Sequence, residues 1–296
     1  MELRHLRYFI AVAEHESVRQ ACEHLHITQP AVSRQIQDLE EELGCLLFQR
    51  SPHGLKLTPA GQSYLRDARQ AMELLEGAAR SARRLSVGLQ GQIRLGLVEN
   101  AGWDGLVPRT FRAFQAQAPE VKVELTAQNT PQQVQAIAEG TLDGGFIYPF
   151  EPLPAGFAAI PLFDFNVVLA VPRAWRIPDG AEPIELRSMA ERPFVTFPRS
   201  VFPAYHDRLL SACQQCGVSL NVVEEGTTET AILSLVCSGI GAAIVNSANL
   251  GRPPAQVRFL KLKDLSIPMP LVFAYQAPGP SPILARFIAV LHSTRG

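Results

Sequence analysis

The sequence is short of nearly everything that marks an exported, membrane-bound or strongly charged protein. Its formal net charge is −1, so composition alone gives no sign of a polyanionic partner. Five cysteines, an odd number, would leave a thiol over in any complete disulfide framework. The opening MELRHLRYF carries Glu2, Arg4 and Arg7 and has no apolar core. No export signal is expected there, and the cysteines read as reduced thiols of a cytoplasmic protein. A charge-free stretch from Thr230 to Gly251 is broken by Ser234, Ser238, Gly239, Gly241, Asn246 and Ser247. It therefore reads as a buried helix and a buried strand, and no membrane partner is expected. No GxSxG, HExxH or Walker pattern occurs, and five of the seven histidines lie before residue 60. An enzyme is not expected. Gly239-x-Gly241 lies between a helix and a strand, the reverse of the context in which glycines cradle a pyrophosphate, and reads as a helix stop.

What is present is concentrated between Ser17 and Glu42, in the run SVRQACEHLHITQPAVSRQIQDLEEE. Ser17 followed by Gln20 has the form of a capping box, and Thr28-Gln29-Pro30 is a second helix start. Between them His24-Leu25-His26-Ile27 has room only for a tight turn. In the second helix Val32, Ile36, Leu39 and Leu43 fall on one stripe, which leaves Gln29, Pro30, Ser33, Arg34 and Gln37 on the opposite face. Arginine forks onto guanine, glutamine onto adenine, and hydroxyls onto bases or phosphates. This is the geometry of helix-turn-helix DNA readers, so double-stranded DNA is the expected partner. The global charge does not help. Residues 1–60 hold six basic residues (Arg4, Arg7, Arg19, Arg34, Arg50, Lys56) against eight acids (Glu2, Glu14, Glu16, Glu23, Asp38, Glu40, Glu41, Glu42). The expectation rests on placement, with dimerisation expected to supply part of the affinity.

The run ITQPAVSRQIQDLEEELGCLLFQRSPHGLKLTPAG, Ile27 to Gly61, resembles the N-terminal signature of the LysR-type transcriptional regulators, and a weaker resemblance continues along the chain. The remaining elements fit that reading. Leu3, Leu6, Phe9, Ile10 and Ala13 predict a first helix. Leu47–Arg50 and Leu55–Thr58 predict strands around the turn Ser51–Gly54, which makes an all-α winged helix-turn-helix domain over 1–58. Arg50, His53 and Lys56 would then reach phosphates or a minor groove. The position of His53 is commonly arginine in the family, and histidine is only partly charged near neutral pH.

Thr58-Pro59 opens a long linker helix over 59–90, on which Leu65, Ala68, Met72, Leu75, Ala79, Ala82, Ser86 and Leu89 keep a three-four alternation. The resemblance implies that this helix pairs two subunits, as a dimer or tetramer, with Leu65, Met72, Leu75 and Leu89 in the seam. The other reading is a helix lying on its own domain. From Gln92 strands and helices alternate, the signature of an α/β domain. The resemblance implies two Rossmann-like subdomains, like a periplasmic binding protein: 91–164 with 267–296, and 165–266. They would be joined by crossing strands near Asp164 and Ser266.

Ligands of such sheets sit beyond strand C-termini, against helix N-termini. Four edges qualify: Glu99–Asp104; Thr130, read as an N-cap completed by Gln133; Arg199–Pro203; and Thr227–Thr230. The resemblance implies a small organic effector there, with Asn100, Thr130, Ser200, Phe202 and Thr228 as contacts. Glu99 departs from the hydroxyl residues common at that edge, and its charge opposes a dicarboxylate effector. Phe202, Trp103 and Tyr148 offer an aromatic lining, or are ordinary core. Cys213 and Cys216 form a CxxC on one helix. Zinc needs two further ligands and only His206 lies near, so no metal is expected. A redox pair remains open, because some members of the family sense peroxide, and so does a pair of small buried residues. No cofactor is expected. RNA polymerase is a further candidate partner, and a non-regulatory solute-binding protein is the alternative class.

Overall fold

The computed structural model describes every residue except 52–53, 103–104, 178–182 and 296. The chain forms two compact units, Met1–Arg84 and Leu85–Gly296.

In the first unit α1 (Leu3–His15), α2 (Val18–Leu25) and α3 (Gln29–Leu43) pack around Phe9, Val12, Ala21, Val32 and Leu39, each fully buried. The buried face of α1 is His5, Leu6, Phe9, Ala11 and Val12, whereas Leu3 is 51% exposed. Of the expected stripe Ile10 and Ala13 pack against this core and only Leu3 is left out, while His5 turns inward and its Nδ1 accepts from the Glu2 backbone N–H at 3.1 Å. Ser17 caps α2 by accepting from Gln20 N, and His26 ends that helix with a left-handed φ of 57°. Thr28 occupies the N-cap of α3, but no cap bond from its side chain forms. Gly44 ends α3 at φ 67°, a conformation that costs glycine little. The wing is β1 (Phe48–Ser51) paired antiparallel with β2 (Gly54–Leu57). Glu40 holds it in place: one carboxylate oxygen accepts from Leu47 N at 2.7 Å and Phe48 N at 3.0 Å.

Thr58 accepts from Gly61 N at 2.9 Å and starts α4, Pro59–Ser86, a 28-residue rod. At about 1.5 Å per residue it spans roughly 42 Å. Gly61 lies against the Leu47 carbonyl, where a Cβ has no room. Leu65 and Met72 are half-buried and pack partly on the α1–α3 core. The open face carries Leu75, 44% exposed, and Leu74, 75% exposed, the latter absent from the expected seam. Leu89 falls beyond the end of α4 and packs against the core of the second unit.

The second unit holds two sheets. One has the order β4 (Glu120–Ala127), β3 (Gln90–Leu97), β5 (Gly144–Ile147), β12 (Met269–Gln276), β6 (Phe157–Phe165), with β3 parallel to β4 and β5. Helices α5 (Leu106–Gln117), α6 (Thr130–Ala138) and α9 (Pro282–Arg295) cover it, with Phe114, Phe146, Phe273 and Phe287 at its centre. In the second, β7 (Val167–Pro172) lies between β10 (Ala243–Asn246) and β11 (Val257–Leu260). The parallel pair β8 (Pro193–Thr196) and β9 (Asn221–Glu225) joins it through a bridge from Phe194 to Ala242, beside α7 (Pro203–Gln215) and α8 (Glu229–Cys237). The charge-free stretch is thus the end of α8 and β10, and no described helix is long and apolar enough to cross a membrane.

The chain changes sheets at Asn166 and again before β12. Asn166 Oδ1 accepts from Val167 N and Ile267 N at 2.8 Å each, and its Nδ2 donates to Ser266 Oγ at 2.8 Å. One side chain thus ties the two crossings together. Asn166→Ala is expected to lower unfolding stability of this unit by about 2 kcal/mol, since two backbone N–H groups lose their acceptor. Urea denaturation checks this, and a loss below about 0.5 kcal/mol would show that water replaces the clamp.

Candidate functional site

The first candidate is the outer face of the helix-turn-helix. Thr28, Gln29, Pro30, Arg34 and Gln37 are exposed and Ser33 is half-buried, all on α3 or its cap, away from the buried Val32, Ile36 and Leu39. Arg34, Arg50 and Lys56 are exposed and make no ion pair among the described residues. His53 lies outside the described residues. The acids are held elsewhere: Glu40 on the wing, Glu42 on the chain's amino group at 2.6 Å, Glu23 on Arg19. The face is donor-rich despite the domain's acidic balance.

The second candidate is a cavity of about 340 Å³ between the two sheets of the second unit. Asn100, Thr130, Phe202 and Thr228 line it, while Ser200 does not. Ser200 is exposed to solvent, and it is the neighbouring Val201 carbonyl that meets the cleft's far side, accepting from Asn129 Nδ2 at 3.1 Å. Trp103 lies outside the described residues. Thr130 is not the cap of α6. Asn129 is, in a reciprocal box with Gln132. The pattern permitted either residue, and Gln133 decides between them: it is fully buried, with Nε2 donating to Gln128 O at 2.8 Å and Phe146 O at 3.2 Å. Those two bonds hold its amide in the interior, turned away from the start of the helix. The Thr130 hydroxyl instead accepts from Tyr148 N at 3.1 Å.

Glu229, in the first turn of α8, dominates the cleft although sequence reasoning passed it over. One carboxylate oxygen accepts from Asn100 Nδ2 at 2.7 Å; the other accepts from Asn249 Nδ2 at 2.7 Å and Asn246 N at 3.1 Å. The Tyr148 hydroxyl donates to Asn100 Oδ1 at 2.9 Å, so tyrosine, amide and carboxylate form a chain from one sheet to the other. Glu99 crosses as well, accepting from Thr230 N at 3.1 Å. This meets the objection raised by its charge: the free N–H end of α8, the natural seat for an anion, is filled by the chain's own carboxylate.

Loss of hydration on burial, reinforced by the Glu99 charge, raises the Glu229 pKa from 4.5 to about 7 against the pull of its donors. Between those limits the unfolded carboxyl loses its proton while the enclosed one keeps it, so stability present at low pH is lost as pH rises through about 7. Relative to Glu229→Gln, the wild type should lose stability on the order of 2–3 kcal/mol between about pH 5 and about pH 8. Denaturation curves at both pH values check this, and parallel behaviour of the two proteins would place the carboxyl in water.

Cys213 is buried, and its pKa is pushed up to about 12, chiefly by burial. The Cys216 thiol is also raised by burial, and it donates to Asp264 O at 2.8 Å. Reactive cysteines need the opposite, a stabilised thiolate. No metal-binding group of His, Cys, Asp or Glu occurs among the described residues.

Comparison with known proteins agrees along the whole chain. Residues 3–62 match the bacterial regulatory helix-turn-helix protein, lysR family, and residues 86–295 match the LysR substrate binding domain. The transcriptional regulator AlsR of Bacillus subtilis is 31% identical over 98% of this chain and 95% of its own. TfdS of Cupriavidus pinatubonensis is 33% identical over 100% and 99%. The crystal structure of CbnR, a LysR family transcriptional regulator, superposes with a TM-score of 0.83 at 29% identity, covering 98% of this chain and 100% of that one. The helix-turn-helix unit and the two-sheet domain are thus both matched over their lengths, and the chain belongs to the LysR family of DNA-binding transcriptional regulators.

Proposed function

We propose that the protein binds an imperfect palindrome as a dimer or dimer of dimers. Thr28, Gln29, Pro30, Ser33, Arg34 and Gln37 would meet the major groove, with Arg50 and Lys56 on the flanking backbone. The helix face supports the first contacts: its residues are exposed, and Arg34 has no partner within the described chain. CbnR has been solved with its target DNA at 27% identity to this chain, and the same mode of docking is proposed here. Self-association would use the open face of α4 around Leu74 and Leu75.

The bridge from Asn100 to Glu229 carries the regulatory reading. Its two ends belong to different sheets, so a molecule that enters the cleft and competes for Asn100 changes how firmly the sheets are held together. A ligand shifts such an equilibrium only by its difference in affinity for the two arrangements. Footprinting on DNA adjoining the gene tests both parts. Wild type should protect a palindrome, and Asn100→Ala should alter the response to effector while leaving unliganded protection within a few-fold. Failure to protect any site there would remove the operator reading; an unchanged response would remove Asn100 from the switch.

A further inference from the structure

We propose that the cleft takes a small organic cation, an ammonium group carried on an aromatic or apolar body, in place of an anion; this rests on reading the cleft as the effector site. Among the described residues that line it there is no lysine, arginine or histidine, while two carboxylates, Glu99 and Glu229, are present. An anion would enter without a counter-charge, and of the helix ends at the cleft that of α8 already holds Glu99 while that of α6 is capped by Asn129.

The remaining polar atoms fit the same class. The Gln128 side-chain oxygen is enclosed at the cleft and has no hydrogen-bond partner, so it awaits a donor. Asn246, 2% exposed, lies at the same cavity beside the Tyr148 hydroxyl, where a hydroxyl or carbonyl on the ligand's body would compete with the phenol for its Nδ2. The walls supply ring faces. Phe202 and Tyr205 lie 6.1 Å apart, as do Phe197 and Tyr205, and Phe150 stands 5.3 Å from Phe202 behind them. Aromatic faces beside carboxylates are the recognition chemistry of ammonium groups. A cation between Glu99 and Glu229 also removes the repulsion that Glu99 exerts on its neighbour, so binding holds the Glu229 carboxyl ionised.

Three probes share one phenolic body and differ only in the tail: tyramine carries an ammonium, tyrosol a hydroxyl and phloretate a carboxylate. Calorimetric titration of the full chain near neutral pH should give tyramine an affinity at least about tenfold above tyrosol, with phloretate weakest. Tyramine binding should release protons from the wild type, seen as heat that varies with the buffer's ionisation enthalpy, and release none from Glu229→Gln. Phloretate binding as tightly as tyramine, or no binding of tyramine, overturns the proposal. Gln128→Lys, a change at a partly buried position on the cleft wall, separates this failure from failure of the site. If phloretate leads and the lysine strengthens it further, the cleft stands and the cation falls. If tyramine binds but the lysine leaves its affinity unchanged, the ligand sits elsewhere and the reading of the cleft as the effector site falls too.

Discussion

Replacing Leu74 and Leu75 with glutamate is expected to leave a folded monomer that no longer holds its operator. The two leucines are 75% and 44% exposed on a helix whose open face carries, besides Leu85, mainly alanine, serine and charged residues. In a pair of such helices four leucine side chains would lose their remaining exposure, contributing about 1–2 kcal/mol each. The double substitution removes that contribution and sets four like charges into one seam. Within a single chain it changes only solvent-facing positions, so the melting temperature of the DNA-binding unit should hold. Met72 is the instructive control. It alternates with Leu75 in the same pattern but packs on the unit's own core, so Met72→Glu should unfold the unit along with the dimer. Light scattering and gel shift check the result. A mass unchanged from wild type, with operator binding intact, would show that α4 does not pair.

Arg34→Ala should weaken specific binding by about 1–3 kcal/mol per subunit and relax preference at one base position, as expected for a lost bidentate contact. The residue is exposed and unpaired among the described residues, so no loss of fold competes with that effect. Binding to unrelated DNA should change far less, since the phosphate contacts remain. Selections on randomised operators with identical base preferences for mutant and wild type would move Arg34 from the bases to the backbone.

The helix-turn-helix, the wing and the α/β order were legible because each rests on local periodicity and helix punctuation. What escaped was decided at a distance. Asn129-x-x-Gln132 and Thr130-x-x-Gln133 spell the same cap one residue apart, and only the burial of Gln133 beneath β5 chooses between them. A glutamate in a helix's first turn ordinarily faces water and complements the dipole. Glu229 instead turns to Asn100, Asn246 and Asn249, partners far from it in the sequence, so nothing local flags it. Along α4 the three-four pattern is equally true of a helix packed on its own domain and one paired with a partner. Leu65 and Met72 do the first while Leu74, which breaks the pattern, is the most exposed of them.

The Asn166 clamp has a mechanical consequence. Two connections that could flex independently would let the sheets twist and slide as well as open, and a ligand's push would be spread over all of these motions. With Val167, Ile267 and Ser266 fastened to one amide, the pair of crossings is expected to behave as a single pivot. The natural coordinate left to the domain is one angle, and whatever enters the cleft at one side is read at the far ends of the sheets as rotation about that point.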